Sequence, residues 1–161
     1  MDTLVATLVP AWQPRAKVRE IAQPKFYIFD CGVARALQGL VRERPRDYEA
    51  GILLETLILH ELRAAISYRN FGGDIYHWRT SGGSEIDFIW QRGEIAIGIE
   101  VKNACSWRSD FGKAMRPLLN EKKLSRALVV YRGKHPTLDD GVEGLPLAEF
   151  LSRLWGGNII G

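Results

Sequence analysis

Residues 84–102 read SEIDFIWQRGEIAIGIEVK, and this stretch decides the fold. β-branched and aromatic residues alternate with polar ones on either side of Arg92-Gly93. The pattern predicts two strands, 84–91 and 95–102, joined as a hairpin. Alternate side chains of a strand share a face. Ile95, Ile97, Ile99 and Val101 therefore form one apolar row, and Ile86, Phe88 and Trp90 another. The opposite rows carry Glu85, Asp87 and Ile89 on the first strand and Ala96, Gly98, Glu100 and Lys102 on the second. A turn symmetric about Arg92-Gly93 pairs positions whose numbers sum to 185, which sets Asp87 opposite Gly98 and puts Glu100 on the neighbouring diagonal. Gly98 then leaves room above the sheet. The same register sets Glu85 across from Glu100, a like-charge pair that needs a cation or a splay of the strands.

Working outward, 75–80 is a third strand between the Gly72-Gly73 and Ser81-Gly82-Gly83 turns, so the segment is a three-stranded meander. Upstream, 51–68 has neither proline nor internal glycine, and leucine and isoleucine recur at helical intervals. On a helical wheel Glu55 falls in the middle of the apolar stripe with Leu59, Leu62, Ile66 and Ile52, while Thr56, His60, Arg63 and Ser67 gather opposite. A carboxylate in that position must be paired, hydrogen-bonded or bound to a cation. A core acid satisfied by an arginine or by loop amides is the competing reading.

Downstream, 109–123 reads as a second helix, interrupted unless Pro117 falls in a first turn. A strand at 127–132 and a terminal helix at 146–155 complete the pattern. Ahead of the long helix, 25–30 reads as a short strand running into a turn at Cys31-Gly32, then a helical patch to about residue 40 and a loop at 44–47. This order of elements predicts a mixed sheet in the α/β class, at its border with α+β.

The chain has 161 residues, 46% hydrophobic and 25% charged, which excludes a disordered or collagen-like polymer. A chain this long buries roughly 70% of its unfolded surface and needs no disulfide or structural metal. The net charge of +3 permits a polyanionic partner without demanding one. Cys31 and Cys105 stand in no zinc-ligand spacing and read as reduced thiols. With no secretory leader and no apolar run of membrane-spanning length, a soluble cytoplasmic protein is expected. Residues 1–24 carry Pro10, Pro14 and Pro24 with Arg15, Lys17 and Arg19 between them, and read as a strand and connecting arm. The domain proper is taken as 25–161.

Asp87, Glu100 and Lys102 converge by strand parity, and a helix with an inward Glu55 precedes them. Two or three carboxylates and a backbone carbonyl are hard oxygen ligands of the kind Mg²⁺ or Mn²⁺ prefers. A lysine beside them can serve the attacking water and offset charge developing on a phosphate. A surface salt bridge between Lys102 and its acidic neighbours is the plainer alternative.

The phrases GILLE (51–55), YHWRT (76–80), SEIDFI (84–89) and IEVK (99–102) together resemble the PD-(D/E)xK, or restriction-endonuclease-like, nuclease superfamily. More narrowly, KFYIFDCGVARAL (25–37) and WRT (78–80) are similar to recurrent phrases of the uncharacterised nuclease-like domain found C-terminal to AAA+ ATPase modules and a winged-helix segment in prokaryotes. The resemblance covers about residues 4–155. It implies Asp87 and Glu100 as metal ligands, Val101 as a carbonyl ligand, Lys102 as the catalytic lysine and Glu55 as the helix acid that binds or orients the metal. It also implies DNA as substrate, Mg²⁺ or Mn²⁺ as cofactor, an ATPase module as partner, and residues 1–24 as the tail of a winged helix. Ile86 stands where the motif's name has proline. No phosphate-binding G-x-x-x-x-G-K-[ST] occurs, so this chain does not include the ATP-binding loop.

His60, His77 and His135 are in no ligand spacing and read as structural or exposed. Trp78, Trp90 and Trp107 could stack on bases, but core packing is the commoner role of strand aromatics. Arg79 is a candidate phosphate contact beside the Asp87 strand, and Lys113, with Arg116, Lys122, Lys123 and Arg126, a candidate DNA-backbone face. Two functions are expected to compete. One is a metal-dependent nuclease; the other is a catalytically silent nuclease-fold module that docks DNA or protein. Homo-oligomerisation is left open.

Overall fold

The 84–102 hairpin forms, with its two faces divided as the alternation requires, but its register differs from the expected one. In the computed structural model, which describes residues 6–14 and 22–161, strand β4 (Glu85–Arg92) pairs antiparallel with β5 (Ile95–Lys102) through Arg92↔Ile95, Trp90↔Ile97 and Phe88↔Ile99. Paired numbers therefore sum to 187 rather than 185. The loop is the two residues Gly93 and Glu94, with glycine at the first central position at φ 58°. That placement of glycine is the one a type II′ hairpin turn favours. Ile89, not Asp87, sits across from Gly98. Nor does Gly98 leave open room: a Cβ there would come within 2.9 Å of Leu124 Cδ1 and Met115 Sδ, which fill the space.

Ahead of this hairpin are β1 (Ala6–Val9), β2 (Lys25–Ile28), α1 (Cys31–Leu37), α2 (Asp47–Arg69) and β3 (Asp74–Arg79). After it come α3 (Arg116–Asn120), β6 (Arg126–Tyr131), β7 (Thr137–Asp139), β8 (Val142–Pro146) and α4 (Leu147–Trp155). The main sheet has six strands in the order β3-β4-β5-β6-β8-β7. Its first three strands are antiparallel; β5, β6 and β8 run parallel; β7 returns antiparallel to β8. The fold is thus mixed α/β, with a mixed sheet and four helices among the described residues.

The period-two alternation sorts the core into two layers. Phe88, Trp90, Ile97, Ile99, Leu128 and Val130 pack under α2 and α4, against Ile58, Leu59, Leu62, Phe150 and Leu154. Ile89, Ala96, Ala127 and Val129 face the other way, against Met115, Leu118, Leu124 and Trp12. Trp78 and Trp90 are core residues, and Trp107 is half-buried with its indole donating to Asp139 at 3.1 Å. Packing, not base stacking, occupies all three rings.

Three expectations are corrected. The second helix is only α3, five residues long, because Gly112 takes a left-handed conformation and Pro117 falls in the first turn of α3. On α2, Thr56 is buried and Ile52 is exposed, the reverse of the wheel, because α1 packs against that end of the helix; the Thr56 hydroxyl is satisfied by the Ile52 carbonyl at 2.9 Å. The short strands β7 and β8 add to the sheet where no strand was expected.

The expected boundary at residue 24 falls between paired strands, since β1 and β2 form a two-stranded antiparallel sheet. Val9 and Trp12 enter the two cores. Residues 1–5 and 15–21 of the expected arm, with Arg15, Lys17 and Arg19, lie outside the described residues.

Candidate active site

The β4–β5 ladder stops at Phe88↔Ile99, and the strands part just where the acids begin. Beyond the last rung the Val101 amide donates to Asp87 Oδ2 at 2.7 Å, so a carboxylate takes the place of a ladder carbonyl. This anchors Asp87 at the mouth of the split. Its side chain is 15% exposed, against 21% for Glu55 on α2 and 23% for Lys25 on β2. The three side chains are therefore largely buried but still reached by solvent.

Lys25 is the hub of this region. Its Nζ lies 3.1 Å from Glu55 Oε1 and 3.6 Å from Asp87 Oδ1, and it forms a closer ion pair with Glu85 Oε1. Tyr27, two residues along the same strand, donates its hydroxyl to the same Glu55 oxygen. Three carboxylates thus share one ammonium. Burial pushes the Asp87 carboxyl up to about 7, the Glu55 charge pushes the same way, and Lys25, the Val101 amide and Lys102 pull against them. Burial works to lower the Lys25 ammonium, but Glu55, Asp87 and Glu85 outweigh it and hold it above its ordinary value. Burial, then Glu55, pushes the Tyr27 phenol up as well, so it stays a donor.

Glu100 and Lys102 form a second group. Glu100 Oε2 accepts the Gly112 amide at 2.8 Å, and Oε1 lies 2.5 Å from Lys102 Nζ. Lys102 also lies 5.9 Å above the Phe111 ring. Burial works to lower its ammonium, and Glu100, Asp87 and Asp110 together raise it. Asp87 stands between the two groups, feeling both Lys25 and Lys102.

The sequence-derived residues are thus in one neighbourhood but do not close on one point. Glu55 and Asp87 meet at Lys25; Glu100 is turned to Gly112 and Lys102. Among the described residues no three His, Cys, Asp or Glu side chains stand close enough together to hold a metal ion. The donors are nonetheless hard oxygens in excess over the cations among them, and Glu55, Glu85 and Asp87 already surround a single cationic atom. That chemistry fits Mg²⁺ or Mn²⁺.

Arg79 is exposed beside the site, 3.8 Å from Glu85. Lys113 is exposed. Arg116 and Arg126 do not belong to a free basic face, because each is engaged inside the molecule. Arg116 pairs with Asp139 and Asp140, and Arg126 with Glu143. His77 is buried and feels the charges of Lys25 and Glu85, His135 is exposed, and neither joins a group of three potential metal ligands among the described residues. Both cysteines are free thiols.

Lys25, Tyr27 and Glu85 are the participants that reading along the chain misses. Glu85 shows in the sequence only through an expected pairing with Glu100 that the observed register removes; its partners are Lys25 and, at 3.8 Å, Arg79. Lys25 carried no signal, because it lies 62 positions ahead of Asp87 and only tertiary closure brings them together.

The family described as Domain of unknown function (DUF4143) matches residues 50–150, more than half of the chain. The chain belongs to the DUF4143 family. The matched span contains Glu55, Asp87, Glu100 and Lys102, whereas Lys25 and Tyr27 precede it. Among curated proteins, one uncharacterized protein of Mycobacterium bovis and one of Mycobacterium tuberculosis are each 27% identical to it over 154 residues. The alignment covers 94% of this chain and 34% of each relative, so the chain spans about a third of the length of the relatives it matches. No solved structure matches. No described helix of this DUF4143 chain is long and apolar enough to cross a membrane.

Proposed function

We propose that this DUF4143 domain is a metal-dependent phosphodiesterase acting on DNA, built on a restriction-endonuclease-like core. Asp87 carries the reading: a half-buried acid at a strand split, between Glu55 and Lys102, with its carboxyl pushed up to about 7 by burial and by Glu55. Perturbed acids of this kind cluster where chemistry is done. The order from α2 through three antiparallel strands to α3 and β6 supports the core assignment.

Glu55, Asp87 and Glu100, with the Val101 carbonyl, would hold the ion, which supplies Lewis acidity toward the phosphoryl oxygens when bound. Glu100 reaches that role by releasing Lys102 or Gly112. Lys102, freed from Glu100, directs its ammonium at the phosphate and offsets the charge that develops there. Lys25, which pairs with Glu55, Glu85 and Asp87, would have to give up these carboxylates for an ion to be held there. A nuclease of this kind, carrying reduced thiols, fits a cytoplasmic protein joined to an ATPase module.

A second reading has its own observation. Lys25 already compensates Glu55, Glu85 and Asp87, and Glu100 is satisfied by Gly112 and Lys102. A site neutralised from within is what a silent docking module would retain.

Plasmid nicking in Mg²⁺ or Mn²⁺ separates the two, with titration calorimetry of the ion alongside. A nuclease nicks and binds the ion, and Asp87→Asn and Lys102→Met abolish nicking. Absence of both nicking and binding heat overturns the nuclease and is the result the docking module predicts, and equal nicking by the variants marks a contaminant.

A further inference from the structure

A cavity of about 440 Å³ opens between β2, α1 and the first turns of α2, and its floor includes Lys25, Tyr27 and Glu55 of the acid site. That volume is in the range of sites that take small organic ligands. Its rim is aromatic and exposed: Phe26 is 63% and Tyr48 68% accessible, with Ile52 beside them. Folded chains seldom leave adjoining large apolar side chains in water without a use for them.

The loop that leaves the cavity wall at Gln38 and returns to it at Tyr48 carries Arg42, Arg44 and Arg46, all exposed and none ion-paired among the described residues. Glu43 and Asp47 are the acids of the same stretch. Buried Arg35 pins this loop from beneath. Its guanidinium lies 2.5 Å from Glu49 Oε1, donates to the Leu40 carbonyl at 2.6 Å, and donates to the Glu43 carbonyl between Arg42 and Arg44. The arginines therefore stand on a fixed backbone. At the start of α2, Asn103 donates to the Asp47 carbonyl at 3.1 Å and accepts from exposed Arg132 at 3.0 Å. The cationic rim thereby continues toward Lys102.

Aromatic faces for stacking, set beside a preorganised row of arginines, are the two components of single-strand binding. A duplex keeps its bases stacked inside and has nothing to place in the cavity. We propose that this surface binds single-stranded DNA, with one unpaired base against Phe26 and Tyr48 and the adjoining backbone on Arg42, Arg44 and Arg46. The strand is thereby led to Asp87. The inference deepens the nuclease reading and rests on it for the identity of the polymer.

The test is fluorescence anisotropy in EDTA, which reads binding without cleavage, using a labelled oligothymidylate of about 20 nucleotides and a duplex of equal length. The single strand is expected to bind more tightly than the duplex. Tyr48→Ala and Phe26→Ala should each weaken it at least about fivefold, the loss of one base–aromatic stack, while Tyr48→Phe binds as the parent does. Arg44→Ala should lower the slope of log affinity against log salt by about 0.7. Duplex binding equal to or tighter than single-strand binding, or parental affinity in both aromatic variants, overturns the proposal. Absence of any DNA binding also overturns it and leaves the face to a protein partner. The two readings fail separately: strand binding without nicking sinks only the nuclease, and nicking with unchanged binding in the aromatic variants sinks only this surface.

Discussion

The Val101 amide and the Asp87 carboxylate, 2.7 Å apart, form the hydrogen bond that replaces a ladder rung at the point where β4 and β5 part. Asp87 is therefore a structural cap as well as a site acid. Asp87→Ala strands a half-buried amide and should cost about 1–3 kcal/mol. Asp87→Asn keeps an oxygen acceptor and should cost less than half as much. Urea denaturation of the two variants checks this, and it makes the asparagine variant the proper control for activity.

Lys25 holds three carboxylates, so Lys25→Met removes the cation they share and leaves Glu85 only Arg79 at 3.8 Å and Asp87 only the more distant Lys102. The variant should lose about 2 kcal/mol or more, since breaking a partly buried ion pair leaves uncompensated charge. A divalent ion that replaces the ammonium restores the loss by binding only the folded form. Thermal melts are expected to show a larger upward shift with Mg²⁺ or Mn²⁺ for Lys25→Met than for the parent. Equal shifts would show that the ion does not compete for the ammonium's position.

The strand faces were legible because side-chain alternation has a period of two, and neither the register nor the loop length alters which residues share a row. Register was not, because Arg92-Gly93 and Gly93-Glu94 are both acceptable two-residue loops in sequence. The missed hairpin of β7 and β8 did carry a signal, the Asp140-Gly141 dipeptide between two short strands, but Gly144 and Pro146 make the second strand look like a loop. A Cβ on Gly144 would meet the Trp107 ring at 2.4 Å, a packing reason that sequence does not display. Glu55 was recognisable as an acid in need of a partner. Its partners, Lys25 and Tyr27, belong to a strand whose placement depends on the whole fold.

His77 is buried, with its Nε2 2.9 Å from the Gln23 carbonyl and its Nδ1 without a partner among the described residues. Burial lowers its pKa below 6.5; the Gln23 carbonyl opposes this and the Lys25 charge adds to it. The neutral ring fits and the cation does not, so its contribution is fully present above pH 6.5 and is lost as pH falls through the depressed folded value. Asp87, with its raised pKa, acts in the opposite direction, stabilising the fold as pH falls below about 7. Comparing parent and His77→Gln isolates the histidine. The urea midpoint of the parent should fall more between pH 7.5 and 5.5, about one unit either side of the free imidazole value.

Gly112 links backbone conformation to the site most directly. Its φ of +72° turns its N–H onto Glu100 Oε2 at 2.8 Å, and a Cβ there would meet Val142 Cγ1 at 2.6 Å. Gly112→Ala therefore suffers left-handed strain and a clash with a β-branched core residue, together about 2–4 kcal/mol. Gly83→Ala is the control: its φ of +85° is equally unfavourable, but a Cβ there meets nothing within 4 Å, so only the conformational cost of about 1–2 kcal/mol remains. The excess loss at Gly112 is the packing contribution. If the two alanine variants unfold at the same urea concentration, Val142 yields freely and Gly112 is required only for its dihedral angle. A variant that stays folded should also release Glu100 from its amide, which nuclear magnetic resonance would register as a changed chemical shift for the residue 112 N–H.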